Sequence, residues 1–122
     1  MRIFKNGWFR RFAAREGIAD SALLEAIVRA REGLVDADLG GGLIKQRIAR
    51  PGQGKSGGFR SVIVYRRDRV AFFVFGFAKN SIGNLSDAEL REFRKMGACL
   101  LALDESQMDA LLRSGKMEEV KP

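Results

Sequence analysis

The chain has 122 residues, 46% of them hydrophobic, and sets 22 lysines and arginines against 15 aspartates and glutamates, a formal charge of +7. It contains no histidine and one cysteine, Cys99, which excludes His–Asp–Ser triads, histidine-based ribonuclease chemistry, intrachain disulfides and metal centres built from His or Cys. No run approaches the ~20 apolar residues of a membrane helix and the N-terminus lacks a signal-peptide core, so a reduced cytoplasmic protein with a polyanionic partner and no membrane is expected.

In chain order, Ile3-Phe4 opens a short strand. Asn6 is a candidate N-cap for a helix that carries Trp8, Phe9, Phe12 and Ala13 on one face and stops at Gly17. Asp20 or Ser21 caps a second helix, with Leu23, Leu24, Ile27 and Val28 as its apolar stripe and Gly33 as its end. The two read as a helical hairpin. Asp36 to Gly42 is a turn-rich connector, in which Asp36 and Asp38 serve turns and caps rather than a metal. From Leu43 the period becomes two: Ile44, Gln46 and Ile48 fall on one face of a strand, Lys45 and Arg47 on the other. Pro51–Gly57 is a glycine-rich loop, and Gly58–Arg67 is a second strand. After the turn Arg67-Asp68-Arg69 comes Val70–Ala78, apolar on both faces as a covered central strand should be. Strict alternation places Phe73, Phe75 and Phe77 together and Phe72 opposite.

The last third is helical. Ser86 and Glu89 form a capping box, with Leu85 and Leu90 at the staple positions. Leu90, Phe93, Gly97, Leu100 and Leu101 share a face, along which Cys99 is a packing residue. Asp104 to Gln107 repeats the box for a short helix with Met108, Leu111 and Leu112, stopped by Gly115. The whole reads as one α+β domain over residues 1–122, with an N-terminal helical hairpin packed on a small antiparallel sheet (a meander) and helices after it.

The charge is concentrated. Residues 43–79 hold nine basic side chains and one acid, Asp68, for +8, and the remainder of the chain sums to −1. Gly52-Gln53-Gly54-Lys55-Ser56 is not a P-loop, because the first glycine is missing and a strand follows. It is a hairpin loop whose Lys55 can meet a phosphate. Lys45, Arg47, Arg60 and Lys79 come from three strands that can converge on one sheet surface. Such cations suit a site that binds a phosphodiester, and Phe77, near the strand end, is the best candidate for stacking on a base. Without histidine, RNA cleavage can still use the substrate's own 2′-OH, a lysine as base and arginines against the phosphate.

Gly40-Gly41-Gly42-Leu43-Ile44-Lys45-Gln46-Arg47, Gly54-Lys55-Ser56-Gly57-Gly58-Phe59-Arg60 and Phe72-Phe73-Val74-Phe75-Gly76-Phe77-Ala78-Lys79-Asn80 resemble the RelE/HigB-type toxins of bacterial type II toxin–antitoxin systems. The resemblance implies a metal-independent endoribonuclease that cuts mRNA in the ribosomal A site, with no cofactor, neutralised by an antitoxin that is often a helix-turn-helix protein. It implies Lys45, Arg60 and Lys79 as catalytic residues and Arg47, Arg50, Lys55, Phe77 and Asn84 as RNA contacts. The C-terminal tyrosine or histidine of several relatives is absent, and Tyr65 does not match it. Two rival functions carry other expectations: a gyrase inhibitor like the ParE toxins, against which the basic strand residues argue, and an RNA- or ribosome-binding module that cuts nothing.

Overall fold

The computed structural model describes residues 1–49, 58–78 and 85–121. Among these the chain runs β1 (Arg2–Asn6), α1 (Gly7–Glu16), α2 (Asp20–Arg31), β2 (Ala37–Gly40), β3 (Leu43–Ile48), β4 (Phe59–Arg66), β5 (Val70–Ala78), α3 (Asp87–Leu101), α4 (Glu105–Arg113) and β6 (Met117–Glu119). All the strands join one sheet in the order β2-β3-β4-β5-β1-β6.

The class is α+β, and the expected small antiparallel meander behind a leading helical hairpin is overturned. The chain begins with a strand, and the sheet is mixed. β1 lies parallel to β5 with Phe4 beside Phe72, and β6 closes the far edge antiparallel to β1. β2 pairs with β3 inside the segment read as a connector. The reason is non-local. Val70–Ala78 is apolar on both faces, and its second edge needs backbone partners that only a distant segment supplies. The Phe4 and Phe72 rings stack across that parallel pair at 5.1 Å.

Helices cover both faces. α1 and α2 place Phe9, Phe12, Leu23 and Ile27 against Ile3, Ile44, Ile63 and Phe73. α3 and α4 place Leu90, Phe93, Leu100 and Met108 against Phe4, Leu43, Val64 and Phe72. Burying each large apolar side chain contributes about 1.5–3 kcal/mol. Val28, expected in the α2 stripe, is 51% exposed, and Ala26 and Ala30 are buried instead. Cys99 is exposed rather than packed.

Local capping follows the sequence where no buried charge competes for the cap residue's oxygen. Asn6 Oδ1 accepts from the Phe9 amide at 2.8 Å, and the boxes at Ser86/Glu89 and Asp104/Gln107 both close. The expected Asp20 or Ser21 cap does not form: Ala19 is the N-cap and offers no side chain. Asp20 Oδ1 instead accepts from Lys5 Nζ at 2.8 Å, because Lys5 sits on a central strand with only 9% of its side chain exposed and needs an anion there.

A β-bulge sets the aromatic faces. Val62 pairs with Phe75 and Ile63 with Phe73, so Val74 is the extra residue. Its carbonyl accepts from Asn6 Nδ2 at 3.2 Å. The bulge reverses the alternation, which corrects the expected grouping. Phe73 faces α1 and α2, whereas Phe75 joins Phe72 on the α3 side. Gly76 admits the Phe12 ring, since a Cβ there would lie 2.6 Å from it.

Candidate nucleic-acid interface

Strand register brings the basic residues together. Arg47 lies directly opposite Arg60, Arg60 opposite Phe77, and Lys45 opposite Val62. Opposed residues point to the same side of a sheet. Lys45, Arg47, Arg60 and Phe77 therefore share the face of Leu43, Val62 and Val64. They sit at the end of the sheet where β3 leaves at Ile48, β4 begins at Phe59 and β5 leaves at Ala78. All four are half-buried, on three strands paired side by side. Arg50, Lys55, Lys79 and Asn84 lie outside the described residues.

Two arginines directly opposed on one face repel unless an anion intervenes. Arg60 has a carboxylate partner. Asp36 Oδ2 lies 3.1 Å from Arg60 Nε, with the two side chains 33% and 16% exposed. Asp36 is thus an acid of the site that the sequence reading assigned to turns. Asp38 does serve a turn, accepting from the Gly40 amide at 2.9 Å. Among the described residues no three His, Cys, Asp or Glu side chains come together as a metal site would require.

The opposite side of β3 holds Asp36 in place. Gln46 is 1% exposed. Its Nε2 donates to Ala26 O at 2.9 Å and Leu34 O at 3.0 Å, and its Oε1 accepts from the Asp36 amide at 3.1 Å. Ser61, also buried, donates from Oγ to Gln46 O at 2.9 Å. A polar residue on the inward face of an apolar strand was the available signal for this role. A shallow depression beside it is lined by Arg29, Asp36, Gln46 and Arg47, which adds a fourth cation from α2.

With Arg29 the described site holds four cations, three of them on two strands, against one acid, Asp36. Guanidinium groups in this arrangement bind phosphate oxygens through paired N–H donors. Tyr65 takes no part. It lies toward the other end of β4, opposite Ala71, packed against the α1/α2 core. Its hydroxyl is buried without a protein partner among the described residues, and burial pushes its pKa up.

Among the described residues no helix is long and apolar enough to cross a membrane. A sequence model described as the RelE toxin of the RelE/RelB toxin–antitoxin system matches residues 1–120. No curated protein matches the chain significantly. With the match spanning nearly all of the chain, the protein belongs to the RelE toxin family, whose members are the toxin half of a toxin–antitoxin pair.

Proposed function

We propose that this toxin is an endoribonuclease that cuts mRNA in the ribosomal A site without a metal. The observation that carries this reading is the cross-strand pair of Arg47 and Arg60, with Lys45 beside them and Phe77 next across the sheet, all on one face. In the proposed reaction the 2′-oxygen attacks the adjacent phosphorus, the P–O5′ bond breaks, the 5′-oxygen takes a proton from water and leaves as a hydroxyl, and a 2′,3′-cyclic phosphate remains. Lys45 or Lys79 takes the 2′-OH proton. Arg60 stabilises the charge developing on the non-bridging oxygens, while Arg47, Arg50 and Lys55 hold the strand. Phe77 and Asn84 meet the base. The ribosome supplies the orientation that a histidine-free site lacks, and a helix-turn-helix antitoxin blocks the basic face. The protein acts in the cytoplasm as one domain.

The test is induction of the wild-type chain and of Arg60→Ala, with primer extension on cellular mRNA. Removing a preorganised donor from a developing oxyanion costs about 10²–10³ in rate. Codon-phased breaks in the wild type that fade in a folded Arg60→Ala variant support the reading. Intact mRNA with arrested translation would favour a binding module, and DNA damage would favour gyrase inhibition.

A further inference from the structure

We infer that α1 carries a second RNA contact, in which the Trp8 indole stacks on a nucleobase and Arg11 and Arg15 follow the phosphates beside it. The inference rests on the nuclease reading for its ligand, single-stranded RNA, and not for its geometry. β1 pairs with β5 only as far as Phe73. Beyond that point no described strand covers this edge of β5, and α1 starts here. Trp8 bridges the gap: its ring stacks on Phe12 at 5.3 Å and meets Phe75 at 4.5 Å. Phe75 lies 6.2 Å from Phe77, and Phe77 is the cross-strand partner of Arg60. A row of rings thus leads from the proposed phosphate site to α1. Trp8 at its end remains 36% exposed. An indole already clamped by two rings loses little rotamer freedom when a base stacks on it.

The charge beside this ring matches a nucleic acid. Arg11 and Arg15 fall one and two helical turns after Trp8, on the same stripe of α1, and both are exposed. Arg11 folds back towards the start of the helix, its terminal nitrogen 3.3 Å from where a Gly7 Cβ would stand. The Arg15 guanidinium lies 5.7 Å from the centre of the Phe12 ring. The first turn of α1 holds no acid, and a cation held near a helix start works against the helix dipole. Helix stability therefore does not account for Arg11. Aromatic rings interleaved with cations along an open edge are how sequence-tolerant single-strand sites are built.

Trp8 is the sole tryptophan, so its emission reports on this position alone. The experiment titrates the full chain with a 2′-O-methyl hexanucleotide, which cannot be cut, following Trp8 emission and the anisotropy of a labelled copy. Polyphosphate serves as an anion without bases. Saturable quenching by the oligonucleotide but not by polyphosphate is expected, with Trp8→Ala weakening binding about 5- to 150-fold. Trp8→Phe, which retains a ring against Phe12 and Phe75, guards against misfolding and should give a smaller loss. Arg11→Gln with Arg15→Gln should lower the slope of log affinity against log salt by about 1–2. The inference is overturned by oligonucleotide binding that leaves Trp8 emission unchanged, by no binding at all, or by quenching that only the antitoxin produces. Phased mRNA cleavage without quenching would remove the α1 contact and leave the nuclease. Quenching with mRNA left intact in cells would keep the contact and remove the nuclease.

Discussion

Replacing Gln46 with methionine keeps the side-chain volume and removes three hydrogen bonds, to Ala26 O, Leu34 O and the Asp36 amide. Each buried partner left without its bond costs about 1–3 kcal/mol. Two of the three contacts involve the partly exposed segment around Leu34–Asp36, where water can take over. The lower end therefore applies to them, and the sum is about 3–5 kcal/mol. For a chain of this size each kcal/mol shifts the melting temperature by roughly 3–5 °C, so the midpoint should fall by roughly 9–25 °C. Circular dichroism during heating and urea titration measure this directly. A second effect follows, because the Asp36 amide is one of the groups released and the Asp36 carboxylate sits on Arg60. At a temperature where both proteins are folded, mRNA cleavage should fall by more than the folded fraction accounts for. A Gln46→Met protein within about 0.5 kcal/mol of wild type would refute the reasoning, since that is the range of changes touching no special feature.

Asp36→Asn keeps the shape and removes the negative charge beside Arg60. The site should bind an uncleavable oligonucleotide more tightly, because an internal competitor for the guanidinium is gone, yet cut more slowly, because Arg60 is no longer aimed. Equal cleavage at saturation would remove Asp36 from the positioning role. Gly76→Val forces a side chain into the Phe12 ring and should destabilise by about 1–3 kcal/mol, read from the urea midpoint; an unchanged midpoint would show that Phe12 can move aside at no cost. The Arg2 hydrogen bond holds the Glu119 carboxyl below its ordinary value of 4.5. Its contribution is therefore full above that pH and is lost as pH falls through the lowered folded value. Arg2→Gln should accordingly lower the melting temperature at pH 7 and by progressively less as the pH falls below 4.5, and a difference that stays constant with pH would contradict the assignment.

The features legible in the sequence are those decided within a few residues or by a simple period. The caps at Asn6, Ser86 and Asp104 bond three residues ahead, so spacing alone identifies them. The alternation through Leu43–Ile48 and Phe59–Arg66 put Lys45, Arg47 and Arg60 on one face, because antiparallel pairing of these strands preserves the side to which each residue points. The misread cap, strands and aromatic faces depend on distant partners. Asp20 left its cap for Lys5, and β1 found its edge on β5. β2 and β6 are strands only because a neighbouring edge offers them hydrogen bonds. One unpaired residue, Val74, shifted Phe75 and Phe77 out of phase with Phe73 and so turned Phe77 towards Arg60. The sequence by itself determined a basic, histidine-free α+β chain whose cations converge on paired strands. Only the tertiary structure decided that Asp36 holds Arg60 and that a row of aromatic rings reaches Trp8, because both are contacts between segments whose meeting no local rule encodes.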